Sequence, residues 1–515
     1  MIVSNPGLIT DLPNPLTCEI AVVGSGPGGA ITACLLAEAG RDVLLIEEGI
    51  YWPLESCTPF SQAEMVQKYR NGGLTAALGK PKIQYVEGKC VGGGSEINSA
   101  LYHRTPPEIL DRWQREFEVE GLTQDDLSLH FEACEQAVTV CPLPGEAPPA
   151  SLKLKVGADR LGWQSMEVPR WFQYNGDMNT AGTPMGKRQS MTETFIPRAL
   201  ASGCKLLTQT RINRILRQGK KWILRGNISE FNSAFNSEFN SAFNSKFSSK
   251  SETVNRPIQI EAETLFVCCG AIQTPALLSR SSITQNIGNT LQMHPTVKVI
   301  AQFHEVINAL DMGVPVHQVK EFAPQMSFGC SISSPPYLAV GMTDYPEYAA
   351  EVPQNWQKMS TYYAMIVGEG AGSVRNLPFY RDPLVRYRLT QNDLKTLSNG
   401  LQKLSTLLFE AGATHLYPSI TGGQRFTQIS DLEQIPEMLL PDRTNLMTVH
   451  VFSSCPMGEY QRKCAVNSFG KVHGLDQLYI SDASLLCTAP GVNPQGTIMA
   501  IARRNVLKFL EDVGI

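Results

Sequence analysis

Long apolar runs and excess positive charge are both missing from this sequence of 515 residues. A membrane-spanning helix needs about 20 mainly apolar residues, and no uninterrupted apolar run approaches that length. The formal net charge at pH 7 is −4, whereas nucleic-acid-binding proteins usually carry a basic patch or stripe. We therefore expect neither a transmembrane segment nor a nucleic-acid partner, while peripheral contact with a membrane surface stays open.

Short paired cysteine spacings and a secretory leader are also absent. The 13 cysteines are an odd number and lie scattered along the chain, which is typical of reduced thiols and not of a zinc site. The segment Met1-Ile-Val-Ser-Asn-Pro-Gly-Leu lacks a basic region followed by an apolar stretch. These absences predict a cytoplasmic location, with association to a membrane left open, and no metal site.

The N-terminal region has the pattern of a nucleotide-binding strand, turn and helix. Short apolar strands are predicted at 19–23 and 43–46, as in a parallel sheet buried on both faces. Between them, Gly24 suits a tight turn, Gly26 a close approach of pyrophosphate, and Gly29 close packing of helix on sheet. Glu47 follows the second strand, where a carboxylate can accept hydrogen bonds from ribose hydroxyls. The neighbouring Glu48 is the competing candidate.

A second glycine-rich segment distinguishes FAD from NAD. The run Val91-Gly-Gly-Gly-Ser95, followed by Asn98, lets the backbone approach a flat ring or a diphosphate and supplies short polar side chains. A one-domain nicotinamide enzyme has no need of such a segment. The pattern therefore favours FAD.

The middle of the chain contains a four-residue repeat over 231–250, beginning Phe231-Asn-Ser-Ala-Phe-Asn-Ser-Glu. A period of four gives no packed face on a helix or a strand, so we predict a flexible low-complexity insertion. Its flanks at 221–225 and 257–260 alternate like neighbouring strands. A tether that binds a partner or a membrane through its phenylalanines is the alternative.

Three further segments give structural predictions. A buried strand at 264–269 is expected to end at Gly270, with a helix beginning near Thr274-Pro275. A leucine-rich helix is expected to be capped by Asp393 and ended by Gly412. Methionine and aromatic residues are frequent between 310 and 365, where they line an apolar substrate pocket or pack as half-buried sheet residues. The set is Phe322, Met326, Phe328, Tyr337, Met342, Tyr345, Tyr348, Trp356, Tyr362, Tyr363 and Met365.

Two polar residues near the C-terminus lie beside structural patterns. His450 ends the strand-like run 445–449, where a lone histidine is ordinarily a satisfied core residue. Asn493 precedes Pro494 and a helical pattern, as a helix N-cap does before proline at the first helical position. Residue patterns alone leave both positions structural.

These segments together resemble the glucose–methanol–choline (GMC) oxidoreductases, FAD enzymes that oxidise alcohols. The resemblance covers nearly the whole chain, including the two glycine-rich segments, Gly270-Ala-Ile-Gln-Thr-Pro275, His450-Val-Phe-Ser-Ser-Cys-Pro-Met-Gly458 and Gly491-Val-Asn-Pro494. The runs at 102–113 and 484–494 look most like the long-chain alcohol oxidase branch, and sterol oxidases are a close second. The glutamate that sterol oxidases use in their substrate domain cannot be placed here.

The fold that the resemblance implies is α/β. A Rossmann-like FAD-binding domain would comprise 1–105, 190–300 and 445–515, and an interleaved antiparallel-sheet substrate domain, α+β in character, would comprise 106–189 and 301–444. Some family members attach FAD covalently through a histidine one residue before the position of Asn98. Ile97 stands there and His103 is not in place to substitute, so non-covalent FAD is expected. The implied cofactor-binding residues are Gly24, Gly26, Gly29, Glu47, Val91, Gly93, Gly94, Ser95, Asn98, Ile212, Gly270, Asp482, Ala483, Pro494 and Thr497.

The implied reaction is oxidation of a hydrophobic alcohol, long-chain or sterol-like, to an aldehyde or ketone, with oxygen or another electron acceptor. His450 would take the hydroxyl proton while a hydride leaves for flavin N5. Asn493 would donate to the alcohol oxygen or the flavin, and a helix starting at Pro494 would direct its positive end towards the flavin. Lyases and a light-driven fatty-acid decarboxylase share the family's FAD site and are the alternative. A degenerate FAD-binding protein that uses the repeat is a third reading.

Overall fold

The computed structural model describes residues 13–180, 182–230 and 254–514. The repeat at 231–250, which was predicted to be a flexible insertion, therefore lies outside the described residues. The strands are β1 (Leu16–Val23), β2 (Val43–Ile46), β3 (Thr75–Ala77), β4 (Ile83–Tyr85), β5 (Val140–Cys141), β6 (Ser165–Glu167), β7 (Arg170–Met178), β8 (Pro184–Arg188), β9 (Lys205–Leu207), β10 (Thr210–Gln218), β11 (Lys221–Glu230), β12 (Val254–Val267), β13 (Gln292–Met293), β14 (Thr296–Gln302), β15 (His317–Val319), β16 (Met326–Cys330), β17 (Met359–Ile366), β18 (Ala371–Arg375), β19 (Leu384–Arg388), β20 (His415–Pro418), β21 (Leu446–Met447), β22 (Val451–Phe452) and β23 (Leu478–Ile480).

The helices of the described residues surround two larger sheets. They are α1 (Pro27–Glu38), α2 (Gln62–Lys68), α3 (Pro107–Phe117), α4 (Gln124–Ala137), α5 (Pro149–Leu161), α6 (Phe195–Ala201), α7 (Gly270–Arg280), α8 (Pro335–Gly341), α9 (Val352–Asn355), α10 (Gln391–Glu410) and α11 (Gln495–Asp512).

The first sheet has the predicted parallel core, in the order β9-β2-β1-β12-β23. Its short strands consist largely of buried apolar residues, because helices α1 and α11 pack on one another and cover the sheet. The strand-turn-helix-strand prediction for the N-terminal region is confirmed, although β1 begins at Leu16 and not at residue 19.

An antiparallel meander extends this sheet beside the parallel core. Strand β11 pairs antiparallel with β10 on one side and with the first half of β12 on the other, with Trp222 opposite Ala262. The segments at 221–225 and 257–260 are therefore neighbouring strands, as their alternation predicts. Strand β12 then continues past the meander into the parallel core, where it pairs with β1 and β23.

The second sheet has nine strands, and all its pairs are antiparallel except β4 with β21. Helix α10 packs against its strands β14 and β17. Asp393 was expected to cap this helix, and that prediction is wrong. Thr390 is the N-cap, and Asp393 is the acidic partner of a capping box, accepting the Thr390 N–H at 2.8 Å. Gly412, with φ +91°, follows the end of the helix as predicted.

Helix α7 begins earlier than the sequence predicts. It starts at Gly270, and Pro275 lies inside it and not at its first turn. The carboxylate of Asp482 accepts both the Gly270 N–H, at 2.9 Å, and the Thr274 hydroxyl, at 2.5 Å. This contact from a distant loop satisfies a free amide at the start of the helix, which begins only three residues after the last residue of β12.

Two hydrophobic cores accompany the two larger sheets. The first joins β1 and β2 to Trp113 of α3 and Phe131 of α4, and the second joins β14 and β17 to Leu401 of α10. Helices α3 and α4 thus pack with the parallel sheet, whereas β3, β4 and β21 pair in the second sheet. Both features cut across the residue ranges proposed above for the two domains, and those ranges stay a prediction.

The described residues contain no helix that is both long enough and apolar enough to cross a membrane. All 13 cysteines are described, and none is paired in a disulfide.

Candidate active site

A cavity of about 1670 Å³ joins the carboxyl ends of β1 and β2 to the face of the second sheet. The loops that follow parallel strands are the usual place for a nucleotide in an α/β fold. At that end the cavity is lined by the glycine turn, and at the other end by Ile300 of β14 and Tyr363 of β17. The volume exceeds the range of about 300–1,000 Å³ that is common for single-ligand sites. It has room for a cofactor together with a substrate.

The three glycines of the first turn have the three predicted geometries. Gly24 has φ +103°, which glycine adopts far more readily than other residues. A Cβ on Gly26 would meet nothing within 4 Å, because this residue faces the open cavity. A Cβ on Gly29 would lie 1.9 Å from the carbonyl oxygen of Gly24. The turn is therefore tight at Gly24, open at Gly26 and closely packed at Gly29.

The second glycine-rich segment lies against the first. Gly92 and Gly93 have φ +90° and +54°, and a Cβ on Gly93 would lie 2.9 Å from Cα of Gly26. The Gly92 N–H donates to Oγ of Ser25 at 3.1 Å. Gly94 lines the cavity and has open space where a Cβ would be. The two segments form one glycine-lined wall that a flat or phosphorylated ligand can approach closely.

The two candidate glutamates have different surroundings. Glu47 is buried at the cavity wall and accepts hydrogen bonds from Ser25 Oγ at 2.7 Å and from the Gly49 N–H at 2.8 Å. Burial raises the pKa of Glu47, and the hydrogen bond from Ser25 opposes that rise. Glu48 instead forms ion pairs with three arginines. These are Arg70 at 2.9 Å, Arg211 at 3.0 Å and Arg381 at 2.7 Å. The carboxylate of Glu48 is thus already engaged.

Thirteen of the predicted site residues line the cavity. They are Gly24, Gly26, Glu47, Gly93, Gly94, Asn98, Ile212, Gly270, His450, Asp482, Ala483, Asn493 and Pro494. Gly29, Val91, Ser95 and Thr497 do not line it. The Ser95 hydroxyl donates to the Gly92 carbonyl at 2.8 Å, and the Thr497 hydroxyl lies 2.7 Å from that of Thr105. Their side chains therefore support the cavity wall without facing the cavity.

The lining fits FAD, as three of its glycines show. Gly26, Gly94 and Gly270 each line the cavity with nothing within 4 Å of the position that a Cβ would take. Any larger side chain at these positions would project into the space that a cofactor needs. Ile97, which also lines the cavity, has no nucleophilic atom that could attach a flavin.

His450 and Asn493 lie in contact, and Asn493 is not the helix cap that the sequence predicts. Nδ2 of Asn493 is 3.4 Å from Nε2 of His450, and both residues line the cavity. Helix α11 begins at Gln495 with Pro494 in the cap position and no side-chain cap. Asn493 therefore precedes the cap, and its amide is free to face His450. The helix still starts beside the cavity, with its positive end directed there.

Two buried residues that the sequence analysis missed complete this polar group. Nδ1 of His294 lies 3.0 Å from Nδ1 of His450. Gln318 donates from Nε2 to Oδ1 of Asn493, at 3.3 Å. His294 and Gln318 lie 156 and 175 residues from their partners, so no local pattern marks them. His294 in Met293-His294-Pro295 offered only a lone histidine after an apolar residue.

Two neighbours face the two ring nitrogens of His294, and a neutral His294 can accept a hydrogen bond from only one of them. The Gly491 N–H lies 3.2 Å from its Nε2, and His450 faces its Nδ1. A neutral imidazole has one donor and one acceptor nitrogen. If His294 accepts from Gly491, it donates to His450, whose remaining proton is then on Nε2. If His294 accepts from His450, Nε2 of His450 keeps a lone pair. The tautomer of His294 thus decides between a donor form and a base form of His450.

Burial keeps the histidines of this group neutral. It lowers the pKa of His450 to about 4, and the positive charge of Lys320 lowers it further. Burial likewise lowers the pKa of His103 to about 3 and that of Lys320 to about 8. A neutral His450 is the form that can accept a proton near pH 7.

The methionine and aromatic residues between 310 and 365 divide between the two interpretations offered for them. Tyr337, Tyr363 and Met365 line the cavity. Others pack in the cores, including Phe328 and Tyr362 in the second core. Phe328 and Tyr362 are fully buried and not half-buried as expected, and a substrate pocket stays a prediction for the residues that line the cavity.

Comparisons with known proteins agree with this geometry. Sequence models of the GMC oxidoreductase family match residues 65–296 and 376–502, and one of an NAD(P)-binding Rossmann-like domain matches residues 22–50. An uncharacterized GMC-type oxidoreductase of Sinorhizobium fredii is 36% identical over 493 residues, which cover 95% of this chain and 94% of that protein. The chain belongs to the GMC oxidoreductase family. The expected Rossmann-like α/β fold and the family assignment are both confirmed.

Other GMC proteins are more distant. A long-chain-alcohol oxidase of Arabidopsis thaliana is 26% identical over 520 residues, which cover 95% of this chain and 66% of that protein. Among solved structures, pyridoxine 4-oxidase from Mesorbium loti is similar with a TM-score of 0.68 and 17% identity, over 96% of this chain and 99% of that one. A formate oxidase variant from Aspergillus oryzae has a TM-score of 0.67 and 13% identity, over 97% and 99%. The solved structures support the fold alone.

Membership of the GMC family establishes the cofactor and the general class of reaction. The chain is an FAD-dependent oxidoreductase that acts on alcohol-type donors.

Proposed function

We propose that this GMC oxidoreductase oxidises a hydrophobic alcohol, long-chain or sterol-like, to the corresponding aldehyde or ketone. Oxygen or another electron acceptor would then reoxidise the flavin. The observation that carries the proposal is the contrast between the polar contact of His450 with Asn493 and the largely apolar lining elsewhere in the cavity. The apolar residues on its wall include Phe60, Met65, Val66, Leu74, Ile300, Leu310, Ile332, Tyr337, Val340 and Met365.

An apolar lining favours an alcohol with a large hydrocarbon part. Burying apolar surface contributes about 25 cal/mol per Å², so each added methylene strengthens binding by about 0.8 kcal/mol until the cavity is filled. A small polar alcohol would leave most of this wall in contact with water. The similarity to a long-chain-alcohol oxidase agrees with this substrate class.

The side chains have distinct parts in the proposed reaction. FAD, when bound, supplies the acceptor for the hydride that leaves the alcohol carbon. Nε2 of His450 takes the hydroxyl proton, which requires the base form of that residue. Nδ2 of Asn493 donates to the alcohol oxygen and holds it beside His450. The N-terminus of α11, beginning at Gln495, stabilises negative charge that develops nearby.

The cofactor would be held by the cavity wall described above. The proposed contacts are Gly26 and Gly94 with the phosphates or ring, Glu47 with the ribose hydroxyls, and Asp482 and Ala483 beside the diphosphate. Asp482 lies in the loop after β23, and its carboxylate also accepts a hydrogen bond from the Gly270 N–H at 2.9 Å. This contact brings the ends of two parallel strands to the same cofactor site.

The substrate class is tested by anaerobic reduction of the purified flavoprotein with primary alcohols of two to eighteen carbons and with a sterol. Bleaching of the flavin absorbance should become faster and saturate at lower concentration as the chain lengthens. Equal reduction by short and long alcohols would contradict a hydrophobic substrate. No reduction by any alcohol, together with flavin-dependent product formation in light or without redox change, would favour the lyase or decarboxylase alternative.

A further inference from the structure

A chain of hydrogen bonds leads from Asn493 into the second sheet. Oδ1 of Asn493 accepts from Nε2 of Gln318 at 3.3 Å, and that same nitrogen lies 3.3 Å from the hydroxyl of Tyr363. Oε1 of Gln318 lies 3.1 Å from Nε2 of His103. Gln318 belongs to β15 and is only 2% exposed. Its amide is therefore enclosed by partners from three other parts of the chain.

Each side-chain amide in this series of hydrogen bonds satisfies its neighbours in only one orientation. An amide oxygen only accepts, and an amide nitrogen only donates. Burial keeps His103 neutral, so its Nε2–H can donate to Oε1 of Gln318 and leave Nε2 of Gln318 to donate onward. Asn493 then presents its oxygen to Gln318 and its nitrogen to His450. A reversed Gln318 would reverse Asn493 as well.

We propose that Gln318 is a positioning residue that fixes the orientation of the Asn493 amide, so that Nδ2 faces His450 and the alcohol oxygen. The inference rests on the proposed function, because it assigns a donor to the alcohol of that reaction. Without Gln318, the carboxamide of Asn493 could turn and place its oxygen against the alcohol oxygen. Two acceptors would then face each other, and the donor would be lost.

A glutamate in place of Gln318 tests the orientation directly. Its carboxylate only accepts, so the Asn493 amide should turn its nitrogen towards position 318 and its oxygen towards His450. The negative charge should also raise the pKa of His450. The other titratable groups around His450 are His103, His294, Lys320 and Tyr363, on separate segments. They are unchanged in this variant, so a shift in the pH profile reports the new carboxylate.

The experiment compares Gln318→Glu, Gln318→Met and the control Gln354→Glu, which adds the same charge at an exposed position. Each holoenzyme is reduced anaerobically with one long-chain alcohol in a stopped-flow instrument from pH 4 to 9. For both position-318 variants we expect the limiting rate to fall about 10- to 100-fold, which is below the loss on deleting an oxyanion donor. The apparent dissociation constant for the alcohol should change less than threefold. FAD content and melting temperature show whether each variant is folded.

The pH profiles separate positioning from structural support. The acid limb of Gln318→Glu should move up by about one pH unit, whereas that of Gln318→Met should stay with wild type. Wild-type rates in both variants, or lost rate without the shift in Gln318→Glu, would overturn the proposal. If Gln318→Glu does not fold, a wild-type rate in Gln318→Met alone overturns it. Failure of wild type to be reduced by any alcohol would instead contradict the proposed function.

Discussion

Nδ1 of His294 lies 3.0 Å from Nδ1 of His450, although 156 residues separate them in the chain. His294 is fully buried, and its ring meets that of His450 edge to face, with 5.2 Å between the ring centroids. One proton must lie between the two nitrogens for this contact to be favourable. His294 therefore determines where His450 carries its proton, as the partner of a catalytic histidine commonly does.

Replacing His294 should slow flavin reduction. In His294→Ala, Nδ1 of His450 loses the partner that fixes its tautomer, so we expect a rate about 10- to 100-fold lower, the range seen when outer-shell partners are lost. Stopped-flow absorbance with a long-chain alcohol gives the rate. His294→Phe fills the same volume without a nitrogen and should be equally slow. Recovery of the rate in His294→Phe would show that only packing matters.

The pH dependence of flavin reduction should show a low acid limb. His450 acts as a base only when neutral, and burial together with Lys320 lowers its pKa to about 4. The rate should therefore be constant above about pH 5 and fall as the pH drops through 4. A limb at the ordinary histidine pKa of about 6.5 would show that His450 is not held neutral by burial. Lys320→Met should move the limb upward, because it removes a positive charge.

Acid should also weaken the fold through these same histidines. A buried neutral histidine with a lowered pKa binds fewer protons in the folded than in the unfolded state. His103, His294 and His450 all have lowered pKa values. The free energy of unfolding should be fully present above about pH 6.5 and decrease as the pH falls below it. Urea titrations at pH 5 and pH 7 measure the difference, and equal stability would contradict the burial of neutral histidines.

Two glycines of the first turn should respond differently to alanine. In Gly26→Ala the new methyl group enters open cavity space, so the apoprotein should melt as wild type does while FAD binds at least about tenfold more weakly. In Gly29→Ala the methyl group lies 1.9 Å from a carbonyl oxygen, and overpacking should lower the free energy of unfolding by about 3 kcal/mol. Differential scanning calorimetry of the apoproteins and fluorescence titration with FAD measure the two effects. Tight FAD binding by Gly26→Ala would place the cofactor elsewhere.

The two neighbouring glutamates give a similar contrast. Glu47→Gln should weaken FAD binding about tenfold or more, because it removes charge-assisted hydrogen bonds to the ribose. Glu48→Gln should mainly reduce stability, by about 1.5 kcal/mol, since the buried Arg70 would lose one of three carboxylate partners and keep Glu87 and Asp382. Isothermal titration with FAD and chemical unfolding separate the effects. A larger loss of FAD affinity in Glu48→Gln would reverse the assignment.

Much of the cofactor wall could be predicted from sequence because its determinants are local. The roles of Gly24, Gly26 and Gly29 follow from their spacing within one turn, and the structure gives each the expected geometry. The leucine-rich helix was placed correctly for the same reason. Its cap was misassigned because Thr390 and Asp393 are both capping residues, and only their mutual hydrogen bonds show which is the N-cap.

The polar group of His450, Asn493, His294 and Gln318 could be predicted only in part. His450 and Asn493 stood out through the family motif, but Asn493 was expected to cap a helix. Its amide instead lies between His450 and Gln318, a residue of β15. Neither Gln318 nor His294 lies near its partner in the chain. Such contacts depend on how β13, β15 and the start of α11 meet, which no local pattern encodes.

The proposed reaction depends most on His450 as the group that takes the alcohol proton. The direct test is the rate of anaerobic flavin reduction by one long-chain alcohol in wild type, His450→Ala and the control His304→Ala, which changes an exposed histidine. With FAD content equal in all three, His450→Ala should be about 100- to 10,000-fold slower than wild type, the usual contribution of a general base, and His304→Ala should be unchanged. Reduction of His450→Ala at the wild-type rate would show that His450 does not take the alcohol proton.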